Sequence, residues 1–419
     1  MWDPYAEFQS ETLPNGLTVY AAHWQNRPWE AMGFIVHSGA EYDPIGLEGL
    51  AHFVEHLVSD NANVPQEEMA AFFENCGGTV DFGNTGYPAT KYRFFAPADK
   101  TVLTKAFSMF GYMLLSAKLE KSIERERQIV TSEFCKEYPV QFKFDLNVRE
   151  QKALHAGCWL ERFVLPFGNL ESIGRIAQSD LQSYYDANYT PENISIVGVG
   201  GMALSELVSL LGESPFAMSK NGLRTPLPIQ TSNVDLPSET RYVFELSKHI
   251  TTQSPSKTGS YRSVAKIPGN AKTQAIKILS EMVDGILYEE VRKKRAWAYS
   301  TKCSRHYFRH FHELSIDCLA LALEALDEIE KIVEYCIASA EDRRDLFMQA
   351  KRRILASYLM VDLTGINICD GALDDLADYQ RIVSFTEYGA GVEQTTMSDV
   401  CDLLQWLRPE RRWTLIAKP

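Results

Sequence analysis

The sequence predicts an α+β protein built as two domains of similar size. At 419 residues the chain exceeds what one hydrophobic core usually fills, and 45% hydrophobic residues supply material for two. Strand-like and helix-like patterns alternate through the first half and recur through the second. Between them, Pro215, Gly222, Pro226 and Pro228 mark the stretch of lowest periodicity, with Ser, Asn and Thr interspersed. The expected boundaries are 1–215 for the first domain, 216–232 for a linker and 233–419 for the second.

Taken in order, Asn15-Gly16 is a turn signal ahead of the β-rich run Leu17 to Ala22, and Ala31 to His37 is a second strand. After a Gly/Asp/Pro-rich break, Leu47, Leu50, Phe53, Val54, Leu57 and Val58 recur at intervals of three and four, which predicts a helix with one apolar face. Gln66 to Asn75 reads as another helix, closed by Gly77-Gly78, and Thr79 to Phe95 alternates as one or two strands. Lys105 to Leu119 and Ser122 to Tyr138 are long helical patterns, and the apolar run Ile194 to Val199 reads as the strand that ends the domain. The second half repeats the theme: a strand at Thr240 to Leu246, a helix at Thr273 to Lys294, and strands around Tyr299 and Leu314. Helices follow at Ala320 to Ala340 and Asp345 to Met360.

With 42 Lys+Arg against 55 Asp+Glu the formal net charge is −13, the wrong sign for a nucleic-acid binder. No run approaches 18 uninterrupted apolar residues, so no membrane-spanning helix is expected. The eight cysteines are widely spaced without a CxxC pair, and the start, Met1-Trp-Asp-Pro-Tyr-Ala-Glu-Phe, has neither a basic segment nor an apolar core. Reduced thiols and a bacterial-type cytoplasmic location are the expectation.

The chemistry concentrates in His52-Phe53-Val54-Glu55-His56. On a helix the two imidazoles stand one turn apart on one side, a metal-ligand geometry, and Glu55 can reach a water in an open coordination position. This is the inverted zincin pattern HxxEH. An accidental match in such a composition has odds on the order of one in a hundred, so the motif is moderately specific. The alternative is a solvated helix face. A third ligand is sought in Ser122 to Glu133, where Glu126, Ile129, Val130 and Glu133 share one face. Two acids on an apolar face call for a cation, with Glu133 as the direct ligand and Glu126 behind it as the acid that orients the site. On spacing alone an acidic solvated helix fits as well, and Glu124 and Glu137 are then equal candidates.

HxxEH followed at long range by ExxxxxxE resembles the pitrilysin, insulinase and mitochondrial-processing-peptidase family of zinc metallopeptidases. The separation of His56 from Glu133 matches that family's spacing, and Glu126 matches its additional acidic position. Leu13-Pro-Asn-Gly-Leu-Thr-Val resembles its opening strand, Gly46-Leu-Glu-Gly-Leu-Ala-His52 its run into the metal helix, and Tyr189-Thr-Pro-Glu-Asn-Ile its last strand. In the second half, the run from Leu287 to Ser300 looks like the family's Arg/Tyr motif, which carries over to Arg292 and Tyr299 as contacts to the substrate near the scissile bond. Without the resemblance, Arg292 to Arg295 reads as a solvated basic helix end.

The resemblance implies two homologous α/β-sandwich domains of the mitochondrial-processing-peptidase type, each a mixed sheet flanked by helices. It also implies Zn²⁺ on His52, His56 and Glu133, Glu55 as general base, and Arg292 and Tyr299 stabilising the oxyanion. The activity implied is endopeptidase cleavage of short unfolded peptides or of leader and propeptides inside a closed chamber. Because that chamber has four domains, this chain supplies half. A homodimer in which a second copy's Arg292 and Tyr299 complete each site is the economical assembly, a heterodimer with a zinc-free homologue its rival. A dedicated leader peptidase and an inactive structural subunit are the other members of the family to weigh. The chain departs from the family at Thr79-Val-Asp-Phe-Gly-Asn84, where an Asn-Ala-x-Thr pattern usually pairs with substrate as an added strand, so its side-chain pockets should differ. His306, His310 and His312 read as a surface hairpin rather than a second metal cluster, and His155 and Cys158 as packing residues.

Overall fold

Alternation in the first half produces six strands: β1 (Phe8–Thr12), β2 (Thr18–His23), β3 (Trp29–Val36), β4 (Thr79–Thr85), β5 (Thr90–Pro97) and β6 (Ile194–Gly200). In this computed structural model, which describes residues 2–119, 123–139, 141–218, 240–245, 258–308, 311–359 and 363–418, they form one sheet in the order β1-β2-β6-β3-β5-β4. Strands β2 and β6 run parallel and all other neighbours antiparallel. The strand that ends the half in sequence is thus central in space, and all seven of its residues are buried. A strand covered on both faces loses the polar alternation of a half-exposed one.

On one face of this sheet, Met32, Phe34 and Val36 pack with the helices Leu50–Ser59, Gln66–Asn75 and Lys100–Leu115 through Phe53, Phe73, Phe107 and Phe110. The third of these helices begins five residues before the expected Lys105, because the Asp99 carboxylate accepts from the N–H groups of Thr101 and Val102 at 2.9 and 3.0 Å. On the other face, Ala31, Ile35, Val197 and Val199 pack against Ile368, Cys369, Ala372 and Leu376 of the helix Gly365–Tyr379.

The second half repeats the topology. Strands β7 (Arg241–Glu245), β8 (Gly259–Pro268), β9 (Ser300–Phe308), β10 (Phe311–Leu321) and β11 (Arg412–Lys418) lie in the order β7-β11-β8-β10-β9, with β7 and β11 parallel. Each matches a strand of β2-β6-β3-β5-β4, and β11, an addition to the expected elements, is the counterpart of β6. Ile276, Leu279, Val283 and Ile286 of the helix Thr273–Leu287 pack on Leu314 and Ile316. Across the sheet, Val264 and Trp413 meet Leu154, and the buried His155 Nε2 lies 3.0 Å from Glu313 Oε1.

The compact units are not contiguous halves. One comprises residues 1–144, 162–229 and 362–386, the other 145–161, 230–361 and 387–419. Compared with the expected domains 1–215 and 233–419, the chain exchanges two segments, each supplying the helix that covers the second face of the other unit's sheet. An apolar stripe on a helix states that it must be buried, not against which sheet. Most of the expected linker, residues 219–232, lies outside the described residues. His306 and His312 do fall on a hairpin, β9 and β10, but His312 is fully buried with its ring 4.9 Å from that of Tyr307, which corrects the expected surface position. His310 lies outside the described residues. Among the described residues no helix is long and apolar enough to cross a membrane.

Candidate metal centre

The loop before the HxxEH helix is organised by one buried carboxylate. Asp43 accepts from the Gly49 and Ala51 N–H groups at 2.7 and 2.8 Å, capping the helix Leu50–Ser59 from a distance, and Arg162 donates to the Asp43 carbonyl at 2.7 Å and to Glu48 at 3.1 Å. Gly49 is required at this joint: its φ is +96°, and a Cβ there would stand 2.5 Å from the Phe167 carbonyl oxygen. The close approach brings the Phe167 ring to 5.6 Å from that of His52. Leu50, Phe53, Val54 and Leu57 bury the opposite side of the helix, so His52, Glu55 and His56 are turned outward into a cleft of about 640 Å³.

The helix Ile123–Glu137 is fastened beside it through Arg127, which lies over the Phe53 ring at 5.2 Å and donates to the Ile176 carbonyl at 2.9 Å. Of its four candidate acids, Glu124 is 79% exposed beside Arg127 and Glu137 is exposed near the helix end. Glu133 and Glu126 reach the histidines. Glu133 Oε2 lies 3.5 Å from His52 Nε2 and 3.4 Å from His56 Nε2, and Glu126 Oε2 lies 3.3 Å from His56 Nδ1.

This donor set fits a zinc ion. Bonds of about 2.0–2.1 Å in a tetrahedron separate neighbouring ligand atoms by about 3.3–3.4 Å, close to the two distances from Glu133. His52, His56 and Glu133 are also the only three such groups within 4.8 Å of one another among the described residues. The electrostatics of the two imidazoles differ. Burial, assisted by His56, pushes His52 down to about 3, so its ring is held in the neutral form that ligates metals. For His56, burial acts downward but is outweighed by the bond to Glu126 and the charges of Glu55 and Glu133, so its net shift is upward. Glu126 and Glu133 stand against two imidazoles of which His52 is neutral, a surplus of negative charge that a bound cation would neutralise.

Glu55 stands apart from the donor set. Its carboxyl is buried, which pushes it up to about 7, and it accepts a hydrogen bond from Thr85 Oγ1 at 2.8 Å. The edge strand β4 makes room for it. A register shift separates Asp81 from Asn84, and Gly83 within it has φ +147°; a Cβ there would lie 2.5 Å from Glu55 Oε1. The unusual Phe82-Gly83 pair is therefore the floor of the Glu55 pocket, and Ser59 Oγ ties the helix to the Phe82 carbonyl.

His52, Glu55, His56, Glu126 and Glu133 thus meet in one cleft of the first unit. Arg292 and Tyr299 belong to the second, where both are exposed and the Arg292 guanidinium lies 5.5 Å from the Tyr299 ring centroid. Sequence reasoning missed Asp43, Thr85, Gly83 and Phe167. A glycine inside a strand pattern is a recognised sign of a bulge or close backbone approach and could have marked Gly83; Phe167 lies in an irregular loop that carries no such signal.

A model of the insulinase family, peptidase family M16, matches residues 19–149, and a model described as the peptidase M16 inactive domain matches residues 175–343. The mitochondrial-processing peptidase subunit beta of Neurospora crassa is 30% identical over 210 residues, 48% of this chain and 42% of that protein, so the match spans less than half of the curated relative. Among solved structures, a protease from Helicobacter pylori superposes with a TM-score of 0.81 at 17% identity over 100% of both chains. The periplasmic protease PqqL from Escherichia coli does so with a TM-score of 0.79 at 14% identity, over 98% of this chain and 47% of that one. At such identities the two structures speak for the fold.

Proposed function

Because the chain belongs to the insulinase family of peptidases, family M16, we propose that it is a zinc-dependent endopeptidase that hydrolyses internal bonds of short unfolded peptides, leader and propeptides among them. The observation that supports this reading most directly is the convergence of His52, His56 and Glu133 on one point beside a buried Glu55 that lies outside that set. Zinc held by the first three would act as a Lewis acid that polarises a peptide carbonyl and lowers the pKa of water. Glu55 takes the proton of the attacking water on its carboxylate and delivers it to the leaving amine. Thr85 holds that carboxylate in place, and Glu126 orients the His56 ring through Nδ1.

The substrate joins the outer edge of β4, which is the end strand of its sheet among the described residues, as an added strand paired through backbone N–H and C=O groups. Arg292 and Tyr299 donate hydrogen bonds to the carbonyl oxygen as charge develops on it. We assign these two to a second copy of the chain, in a homodimer with two sites; a heterodimer with a homologous zinc-free subunit is the alternative assembly.

The purified chain should cut unstructured peptides of roughly 10 to 40 residues at internal bonds, a length that a closed chamber admits while excluding folded proteins. Mass spectrometry of the digest should show those cuts disappearing with a zinc chelator. Chelator-resistant cleavage would overturn the reading, and zinc-loaded protein without cleavage would point to the heterodimer. Within that activity, Gly83→Ala should lower kcat by about 10²-fold, since a displacement of the base of order 1 Å has that effect. Its zinc content should stay at the wild-type level, because the three atoms nearest a Cβ at Gly83 all belong to Glu55, which lies outside the proposed ligand set. Steady-state kinetics beside metal analysis checks this, and an unchanged kcat would show that the bulge absorbs the methyl group.

A further inference from the structure

In the second unit the chain leaves α-helical winding over Tyr288–Lys293, where a wide turn is closed by the Lys294 N–H donating to the Glu289 carbonyl at 3.0 Å. Such turns are rare and recur at functional sites. This one keeps Val291 in the core and leaves Tyr288 and Arg292, four positions apart, together on the outside.

The basic residues Arg292 to Arg295 divide in two: Lys293 Nζ shares the Tyr288 ring with Arg292, at 5.2 Å from its centroid, and the other two turn to a carboxylate. Lys294 and Arg295 close on Glu290 at 2.6 and 2.8 Å. Arg292 has no carboxylate within ion-pair reach among the described residues. Its Cζ lies 5.6 Å from the Tyr288 ring centroid and 5.5 Å from that of Tyr299. The two rings are 42% and 76% exposed, too open to be serving a core. A guanidinium held by ring faces keeps its in-plane N–H donors free, whereas one held by a carboxylate has them engaged.

We propose that Tyr288 is a positioning residue: its ring holds the Arg292 guanidinium in the orientation in which the donor fork receives a substrate carbonyl. Tyr299 donates to the substrate in the proposed reaction and is the more exposed of the two rings, so the standing support of Arg292 falls to Tyr288. This inference rests on the reading of Arg292 as a substrate contact.

The test is a kinetic cycle on the full zinc-loaded chain, using one unstructured peptide that the wild type cleaves, with Tyr288→Leu, Tyr288→Phe, Arg292→Ala and the Tyr288→Leu/Arg292→Ala double variant. Losing one ring contact to an exposed guanidinium is expected to lower kcat by about fivefold with KM changed by less than about twofold. Tyr288→Phe, which keeps the ring, should restore most of that loss, and the double variant should be no slower than Arg292→Ala alone. Far-ultraviolet circular dichroism and zinc content should match the wild type throughout. Full activity of Tyr288→Leu, or an equal loss from it in the Arg292→Ala background, overturns the inference and leaves the peptidase reading intact. Full activity of Arg292→Ala removes the role of Arg292 and the inference with it.

Discussion

Glu55→Gln is expected to lower the rate of peptide cleavage by about 10²–10⁴-fold, the range over which a positioned general base contributes, while zinc binding is unchanged. The amide has the shape of the carboxyl group and can still accept from Thr85 Oγ1, now 2.8 Å from Glu55 Oε2, so the pocket floored by Gly83 stays filled. What is lost is the capacity to take a proton. Glu55 is not one of the three groups that converge within 4.8 Å, which is why metal content separates its role from theirs. Single-turnover cleavage assays beside metal analysis distinguish the cases: cleavage retained would mean that another group is the base, and zinc lost would mean that Glu55 is a ligand.

His56→Ala is expected to abolish stoichiometric zinc and cleavage together. The ring contributes Nε2, 3.4 Å from Glu133 Oε2, and through Nδ1 it also takes the contact to Glu126 at 3.3 Å. Removing it deletes one of the three proposed ligands and leaves the nearly buried Glu126 carboxylate with the Arg125 guanidinium, whose Nε lies 3.5 Å from Oε1. Glu126→Gln should be milder, weakening zinc by about 10–100-fold, as for other groups that orient a metal-ligating histidine. Added zinc should raise the melting temperature of the wild type, since a ligand that binds only the folded state stabilises it, and His56→Ala should not respond. A competitive chelator titration and a melting curve give both readings. A His56→Ala protein that still holds one zinc per chain would show that the metal sits elsewhere.

Legibility followed the range of the interaction. The HxxEH helix was readable because an α-helix carries positions four apart to the same side whatever surrounds it, and the apolar set Leu50, Phe53, Val54 and Leu57 says which side is inward. The proposed third ligand was less so. Glu124, Glu126, Glu133 and Glu137 are equivalent in local spacing, and only the docking of their helix through Arg127 onto Phe53 and the Ile176 carbonyl brings Glu133 and Glu126 to the imidazoles. Family resemblance pointed to the same pair, by likeness of spacing and not by physics. Gly83 and Thr85 were invisible as site residues because their role exists only once β4 lies against Glu55.

By itself the sequence determined the local matter: which segments wind into helices or extend, which face of each is apolar, where the caps and turns fall, and that two imidazoles and a carboxylate share one helix. These follow from a rise and twist per residue that neighbours along the chain enforce. Tertiary structure alone decided which surfaces meet. It placed Ile194–Gly200 and Arg412–Lys418 inside their sheets, sent residues 145–161 and 362–386 to the unit opposite their own half, buried His312, and brought Glu133 and Glu126, of four acids, to the imidazoles. The reason is that burial is non-directional: it demands that an apolar stripe be covered but leaves the partner open, and contacts between distant segments alone supply the choice.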